Sequence, residues 1–557
     1  MTSKSASSMT TPTPTSDAGA ALIAEAPAGV PDVATLARWA NEFFSARPAQ
    51  PGGSVQPEPP RAVAPTPLQS PAEPIGVARS NTTDPAAAIH AGTAVLARLS
   101  AADLVIPELP FVATPIELGR APSPPGGIYQ SPAPTFYFLD ASRGGEGTRP
   151  PAGHPAFDVQ TIRRDFPILQ ERVHGRPLIW FDNAATTQKP SAVIDRLSHF
   201  YRHENSNIHR AAHELAARAT DAYEGARRQV QRFLGAASPN EIVFVRGATE
   251  AINLVAQSWG RKNIGKDDEI LISHLEHHAN IVPWQMLCAE RGAILKVVPV
   301  DSRGQLRLDE LQRLLNERTK LLSITHVSNA LGTVTPVREL VELGHRAGAC
   351  VLIDAAQSVS HIPIDVRTLD SDFLVLSGHK VFGPTGIGVL HGKAKVLEGM
   401  PPWQGGGNMI EDVTFEATRY QSPPSRFEAG TGNIADAVGL GAALEYLLAI
   451  GMPNIEHYES ELLTYATERL LTVPGLAIVG TAPHKASVIS FVIAGLEPTT
   501  IGSALNQEGI AVRAGHHCAQ PILRRFGHEA TVRASLAFYN TRAEVDVMVG
   551  ALKRLVA

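Results

Sequence analysis

The sequence predicts an α/β protein whose mostly parallel β-sheet is covered by helices on both faces, behind a long N-terminal tail. After about residue 155, apolar runs typical of buried strands alternate with helical stretches such as Glu250–Gly260 and Val337–Gly348, and this alternation indicates βαβ units. From about Ile434 the pattern changes to α+β, with ASVISFVIAGL as a strand and VDVMVGALKRLVA as a closing helix. The strand-like runs before it are EIVFV, EILIS, ILKVVPV, KLLSITHVS, CVLIDAAQS and FLVLSG.

The first 155 residues differ from the rest in composition. They are rich in Ala, Ser and Thr and hold about half of the 43 prolines, so they cannot bury enough apolar surface to offset the entropy of ordering. We therefore expect a mostly disordered tail. Its three apolar islands are either chance hydrophobes in a linker or short motifs that order on a partner, which we favour. They are Asp32–Ala46, Ala91–Phe111 and Ile128–Asp140.

The overall composition argues against several classes of protein. A net charge of -5 is small for 557 residues, and it disfavours binding to nucleic acid or to an anionic membrane. No apolar run approaches the roughly 20 residues of a membrane span, and the N-terminus has no apolar segment typical of a secretory signal. Three cysteines cannot form a disulfide framework, so a cytoplasmic location is expected.

Reactive side chains follow the ends of the predicted strands, where open α/β sheets bind their ligands. Lys380 ends the run FLVLSGHK, and a buried amine is costly unless it is paired, neutral or covalently used. Asp354 ends the earlier run VLID. Pyridoxal 5'-phosphate (PLP) requires a lysine for its Schiff base and a carboxylate beside its pyridine nitrogen. Other polar residues at these strand ends are Asn329, Gln357, Ser377 and His379.

Two further elements fit this cofactor. Thr249 opens a helix directly after a strand and a glycine, which offers a phosphate backbone N–H groups, a hydroxyl and the helix dipole. A flat side chain, His277 or His278, could stack on the ring. The alternative is that Lys380 is a strand-terminal lysine that merely reaches solvent, and the combination of all these elements in one chain favours PLP.

The three cysteines are not equivalent. Cys518 follows two histidines in RAGHHCAQP and lies near Arg513, a setting that favours a thiolate, although an incidental loop thiol is the alternative. Cys288 and Cys350 lie in more apolar surroundings, and we expect them in the core.

Metal binding is the competing interpretation of the histidine-rich runs HLEHHAN and GHHC. Neither run has the H-E-x-x-H or the paired C-x-x-C spacing of zinc sites. The sequence therefore predicts no metal site. The histidines concerned are His274, His277, His278, His516 and His517.

Longer motifs follow in one order across about 400 residues: FDNAATTQKP, NIHRAAHELAARAT, VRGATEAINLVA, LEHHANIVPW, THVSNALGT, IDAAQS, SGHKVFGPTGIGVL, PPWQGGGNMI, FEAGTGN, RAGHHCAQP and VRASLAFYNT. In these motifs the chain, from about residue 156 onwards, resembles the SUF-type (group II) cysteine desulfurases of the class V aminotransferase superfamily. The resemblance implies a fold-type I PLP-dependent transferase. Its large doubly wound domain is residues 176–433, and its small α+β domain, which carries the active cysteine, is residues 156–175 and 434–557.

The resemblance also implies a role for each matching residue. Lys380 forms the Schiff base and carries a proton, Cys518 takes the substrate sulfur as a persulfide, and Thr431 reaches the phosphate from the second subunit of a homodimer. The sequence departs from the family's motifs at two places. Ala248 stands where many relatives have threonine, and GTGN stands where GTPN is more usual. The remaining roles are Asp354 on the pyridine nitrogen, Gln357 on the ring oxygen, His277 stacked on the ring, Thr249, Ser377 and His379 on the phosphate, Asn329 and Arg533 on the substrate carboxylate, and Arg513 beside the cysteine.

The tail resembles the N-terminal extension of cysteine desulfurases that are packaged as cargo in encapsulin nanocompartments. This implies that residues 1–155 bind an encapsulin shell protein and that the enzyme is held inside the compartment, in the cytoplasm. A plain solubilising linker is the alternative. The implied partners of the enzyme are L-cysteine, a separate sulfur acceptor protein and a second copy of the chain, in sulfur metabolism or iron–sulfur cluster assembly.

Two other functions remain open for the folded part. A selenocysteine lyase shares the scaffold, but a lyase need not have the cysteine, so Cys518 favours the desulfurase. A catalytically inactive scaffold protein of the same fold is disfavoured by the joint presence of Lys380, Asp354 and Cys518.

Overall fold

The structure is a computed structural model that describes residues 157–209 and 212–557. The predictions for the tail, residues 1–155, lie outside the described residues. The strands are β1 (Arg172–Val173), β2 (Arg176–Pro177), β3 (Ile179–Trp180), β4 (Ile242–Val245), β5 (Glu269–Ser273), β6 (Ile294–Val298), β7 (Thr319–Thr325), β8 (Cys350–Asp354), β9 (Phe373–Ser377), β10 (Gly388–Gly392), β11 (Ile410–Val413), β12 (Thr418–Tyr420), β13 (Leu476–Val479), β14 (Val488–Ile493), β15 (Ile510–Ala511), β16 (Arg513–Gly515) and β17 (Thr531–Ser535).

Helices alternate with the strands through most of the described chain, as predicted. The helices are α1 (Val159–Arg164), α2 (Ser191–His203), α3 (Glu214–Leu234), α4 (Ala248–Val255), α5 (Arg261–Asn263), α6 (Val282–Arg291), α7 (Leu308–Leu314), α8 (Val337–Arg346), α9 (Val366–Leu369), α10 (Ala394–Glu398), α11 (Ile434–Ile450), α12 (Met452–Leu470), α13 (Pro498–Gln507), α14 (Gln520–Arg525) and α15 (Arg542–Val556).

A seven-stranded sheet in the order β4-β10-β9-β8-β7-β5-β6 forms the centre of the fold. Its strands from β5 to β9 are mutually parallel, and all six predicted strands are present. Apolar clusters lie on both faces, one against α3 and α11 and the other against α4 and α6. Because both faces are covered, the inner strands β8 and β9 are almost wholly apolar rather than alternating, whereas the edge strand β6 is partly exposed.

The strand β10 was not predicted, because the run GIGVL reads as part of a glycine-rich turn. It pairs antiparallel with both β4 and β9. At Gly388 the neighbouring backbones are very close: a Cβ built there would lie 2.4 Å from the Cα of Gly247 and 2.6 Å from the carbonyl oxygen of Leu376. Only glycine therefore fits this position, and the close approach seats the start of α4 against the sheet.

A second sheet carries the C-terminal part of the chain. It is antiparallel, in the order β13-β14-β17-β16, and packs on α12 and α15 through residues such as Leu462, Phe491 and Met548. The strand β3 pairs with β15, and Asp182 bridges to Ser535 on β17. The segment around Asp182 is thereby fixed beside the C-terminal sheet. The predicted domain boundaries stay a prediction.

Membrane insertion was assessed for the described helices. Within residues 157–209 and 212–557, no single helix is long and apolar enough to cross a bilayer, and one bent pair, α11 with α12, meets the criteria jointly by length and composition.

Candidate active site

A cavity of about 210 Å³ opens where β7, β8 and β9 end. It collects side chains from distant parts of the chain, and every predicted site residue except Thr431 lines it. Those residues are Thr249, His277, Asn329, Asp354, Gln357, Ser377, His379, Lys380, Arg513, Cys518 and Arg533.

Lys380 and Asp354 are two buried charged residues that line the cavity. Lys380 ends a 3₁₀ turn directly after β9, and burial lowers the pKa of its amine while the Asp354 carboxylate opposes that shift. Asp354 is only 5% exposed, and burial raises its pKa. The Oδ1 of Asp354 accepts a 2.9 Å hydrogen bond from the backbone N–H of Ala356, which leaves its other oxygen for a ligand. A buried amine and a buried carboxylate that line one cavity fit a ligand that uses both.

The remaining polar atoms of the cavity also fit PLP. The Oδ1 of Asn329 is buried without a hydrogen-bond partner, and such an orphaned atom calls for a ligand or water. The Ser377 hydroxyl accepts a 2.9 Å hydrogen bond from the backbone N–H of Ala248. This places Ser377 beside the first turn of α4, where N–H groups lack helical partners and attract a phosphate.

His277, and not His278, faces the cavity. Its Nδ1 accepts a 3.0 Å hydrogen bond from the backbone N–H of Ala279, which fixes the ring. Burial and the nearby Lys380 lower its pKa to about 3, so the ring is neutral at physiological pH. His278 instead donates its backbone N–H to the carbonyl oxygen of Cys518 at 2.8 Å. The two neighbouring histidines thus serve different parts of the site.

The loop that carries Cys518 is short and tightly held. It spans residues 516–519 between β16 and α14, and both His517 and Cys518 adopt positive φ angles of 53° and 54°. Such angles strain residues other than glycine. The Nε2 of His517 lies 2.8 Å from the Thr531 hydroxyl, and the carbonyl oxygen of His517 accepts a 2.6 Å bond from Nδ2 of Asn329. These contacts hold the strained loop.

Two arginines that line the cavity, Arg513 and Arg533, both donate hydrogen bonds to the carboxylate of Asp182. Arg513 donates to the Asp182 carboxylate at 3.1–3.3 Å, and Arg533 donates to it at 3.1 Å and to the carbonyl oxygen of Asn329 at 3.0 Å. Arg533 is 2% exposed, and burial lowers its pKa to about 10. Asp182 was missed by the sequence reasoning, although it lies in the motif FDNAATTQKP.

A fully buried carboxyl, Glu276, lies behind the site and was also missed. It accepts hydrogen bonds from the Ser273 hydroxyl at 2.5 Å, the Asn280 amide at 2.6 Å and the Thr325 backbone N–H at 3.1 Å. Burial raises its pKa to about 8, against the effect of these bonds, and the charge of Asp354 contributes to the rise. Its position beside His277 in LEHHAN was the only available signal.

The other predictions concern residues outside the cavity. Thr431 is exposed and does not line it, so its contribution to a partner subunit stays a prediction. Cys288 is buried in the core, as predicted, and its pKa rises to about 11, whereas Cys350 is half-buried. Within the described ranges, no group of three or more His, Cys, Asp or Glu could hold a metal ion.

The aminotransferase class-V family matches residues 179–548. A cysteine desulfurase of Escherichia coli is 51% identical over 400 residues, which are 72% of this chain and 98% of the relative. The chain belongs to the cysteine desulfurases of the class V aminotransferase family. This family uses PLP, and the residues that line the cavity fit that cofactor. The protein therefore depends on PLP.

Other relatives agree with this assignment. The cysteine desulfurase of Synechococcus elongatus is 69% identical over 404 residues, but the match spans only 64% of its length. The probable cysteine desulfurase 1 of Mycobacterium leprae is 60% identical over 467 residues, covering 76% of the relative and 83% of this chain. The matched share of this chain is larger than the share that residues 157–557 make up, so the similarity continues into the tail.

Solved structures support the fold. The cysteine desulfurase CsdA from Escherichia coli has a TM-score of 0.68 at 39% identity, over 72% of this chain and 99% of that one. The cysteine desulfurase from Thermococcus onnurineus NA1 has the same TM-score at 38% identity, over 71% and 98%. The predicted fold class is thereby confirmed.

Proposed function

We propose that this protein converts L-cysteine to L-alanine and takes the sulfur as a persulfide on Cys518. The observation that carries the proposal is that Cys518 lines the same cavity as Lys380 and Asp354, although it lies far from both in the sequence. A PLP lysine alone indicates only the cofactor class. A cysteine that faces that lysine adds a nucleophile for the substrate sulfur.

Each residue then has a chemical task. PLP bound in the cavity supplies an electron sink for the charge that develops at the substrate Cα. Arg533 pairs with the substrate carboxylate and sets its orientation. Lys380, whose pKa is lowered by burial, takes the proton from Cα and returns it.

Sulfur transfer is the step assigned to Cys518. Its thiolate sulfur attacks the substrate sulfur, a sulfur–sulfur bond forms, and the carbon–sulfur bond breaks with its electron pair going to carbon. Protonation of that carbon leaves alanine, and Cys518 retains the persulfide.

Matched variants test this proposal. Lys380→Ala should lose the visible absorbance of the lysine-bound cofactor, and a colourless wild-type protein would exclude PLP. Cys518→Ala should keep that absorbance and lose sulfide release from cysteine, whereas Cys350→Ala, the matched control, should keep both. Full sulfide release by Cys518→Ala would exclude the persulfide, and activity restricted to selenocysteine would favour the lyase.

We further propose that the enzyme is of the SUF type and passes its sulfur to a separate acceptor protein, in support of iron–sulfur cluster assembly or sulfur metabolism. The short loop of residues 516–519 supports this, because a short, held loop cannot carry the persulfide far from the cavity. The test is sulfide release with and without an acceptor protein. An unchanged rate would contradict acceptor dependence.

We propose a homodimer in which Thr431 completes the phosphate site of the partner subunit. Thr431 is exposed and lies outside its own cavity, which supports a contact across an interface. Mixing Thr431→Ala chains with Lys380→Ala chains would create dimers with one intact site. Restored PLP absorbance at that site would support the proposal, and no complementation would argue against it.

For the tail, we propose loading into an encapsulin compartment in the cytoplasm through residues 1–155. Its three apolar islands in a proline-rich background support this, as does a similarity to the mycobacterial relative that continues past the folded part. Deletion of residues 1–155 should keep desulfurase activity and abolish co-purification with a co-expressed shell. Continued co-assembly would show that the tail is a linker.

A further inference from the structure

The hydrogen-bond partners of the Gln357 side-chain amide determine which end of the amide faces the cavity. As placed, Nε2 lies 3.4 Å from the Nε2 of His361, while Oε1 is buried without a partner. The two ends of an amide differ little in shape, so the hydrogen-bond network must assign them. Turning the amide by half a turn would set Oε1 opposite His361 and leave both N–H donors for the cavity that Gln357 lines.

His361 belongs to a buried pair with Glu459. Its Nδ1 lies 2.6 Å from the Glu459 carboxylate, and the two side chains are 4% and 3% exposed. Ser487 also donates to that carboxylate at 3.1 Å. The pair joins the segment after β8 to α12, so it connects the cavity wall to a helix that packs on the second sheet.

Burial requires that the polar groups of this pair find partners within the protein. Within the described residues, His361 is the one cationic partner found within 4 Å of Glu459, and buried charges require pairing. The neighbouring Glu456 on α12 has its pKa raised to about 7 by burial and by the negative charge of Glu459. A His361 that donates from Nδ1 to Glu459 and from Nε2 towards Gln357 satisfies both of its buried neighbours.

We propose that Glu459 and His361 are positioning residues that fix the Gln357 amide, with Oε1 held by His361 and the N–H donors directed at the bound cofactor. The network then leaves no orphaned oxygen on Gln357, and it presents donors to the anionic ring oxygen that PLP carries. The inference rests on the proposed role of Gln357, and it does not depend on the sulfur chemistry of Cys518.

The test uses Glu459→Gln in the full-length protein. Without the carboxylate, Nδ1 of His361 has no charged acceptor, so Nε2 no longer donates to Gln357, and Gln357 turns its oxygen towards the ring. We expect the Kd for PLP of the apo-protein to rise about tenfold, the value of one hydrogen bond to a charged group, and the visible absorbance maximum to shift. Glu456→Gln, on the same helix and without contact to His361, is the matched control and should change neither.

A double-mutant cycle separates positioning from a general loss of structure. In a Gln357→Ala background, Glu459→Gln should have no further effect on PLP affinity or on the absorbance maximum. Additive effects of the two substitutions, or an unchanged spectrum in Glu459→Gln, would overturn the proposal. Neither readout requires turnover. Failure of the positioning proposal can therefore be distinguished from failure of the desulfurase proposal, which the Cys518→Ala experiment tests.

Discussion

Asn329 donates a 2.6 Å hydrogen bond from its side-chain nitrogen to the carbonyl oxygen of His517. The family resemblance implies a contact of Asn329 with the substrate carboxylate, which stays a prediction, and in the structure its Nδ2 also holds the loop that carries Cys518. The backbone carbonyl of Asn329 also accepts from Arg533. Asn329 thus joins the segment after β7 to both the loop of residues 516–519 and Arg533.

Asn329→Ala should therefore impair sulfur transfer more than cofactor binding. Loss of one buried hydrogen bond costs about 1 kcal/mol and lets the strained loop relax, so we expect sulfide release to fall about tenfold or more. The visible PLP absorbance should persist. Single-turnover sulfide release and alkylation of Cys518 measure the effect, and the exposed Asn263→Ala is the control. Unchanged alkylation and turnover would contradict the loop's dependence on Asn329.

Asp182→Asn should weaken substrate binding. An asparagine offers one acceptor oxygen where the carboxylate serves both Arg513 and Arg533, and it leaves two like charges without a counterion. We expect the KM for L-cysteine to rise about tenfold with a smaller change in kcat. The exposed Asp412→Asn, whose carboxylate lies 3.8 Å from Arg419, is the matched control. Equal KM values for all three proteins would refute the role of Asp182.

Stability should fall in mild acid because several histidines are buried in the neutral form. Burial lowers the pKa of His326 and His379 to about 4, and that of His277 and His517 to about 3. In the unfolded chain each takes up a proton near pH 6.5, so the unfolding free energy falls as the pH drops from about 6.5 to about 4, by up to about 1.4 kcal/mol per unit for each histidine. Urea unfolding at a series of pH values measures the slope, and it should be smaller in His326→Gln. An identical slope would mean that His326 is not neutral in the fold.

Glu276→Gln should destabilise the fold even though the shape is unchanged. Whichever way the new amide points, it sets its N–H₂ against a donor, either Thr325 N–H or Asn280 Nδ2. Asn280 cannot turn, because its oxygen already accepts from Trp284 and Ser323. An unmade buried hydrogen bond costs about 1–3 kcal/mol, which urea unfolding at neutral pH will show. Wild-type stability would indicate that the network rearranges.

Much of the fold could be predicted because its signals are local. The strands β4, β8 and β9 are nearly continuous apolar runs, and this pattern follows from coverage of the sheet on both faces. Lys380, Asp354 and Asn329 could be assigned to one site because parallel strands end at the same edge. The strand β10 was missed because its glycines, which read as a turn, are required by backbone packing against Gly247.

Asp182, Glu276 and the pair of His361 with Glu459 could not be predicted as site residues. Each acts through a partner that is distant in sequence, such as Arg533 for Asp182 or α12 for His361. The residues around a charged side chain in the sequence do not indicate its partner, because the pairing arises from the tertiary packing of the two sheets. The roles of such residues emerge only from three-dimensional contacts.

The close approach at Gly388 sets a limit on how this enzyme can vary. Rigid backbone, rather than a side chain that could move, meets the added Cβ on two sides. The smallest substitution, Gly388→Ala, would have to displace Gly247 and with it the first turn of α4. In a saturation library selected only for retention of the cofactor, position 388 should therefore be recovered as glycine alone, although it touches no ligand.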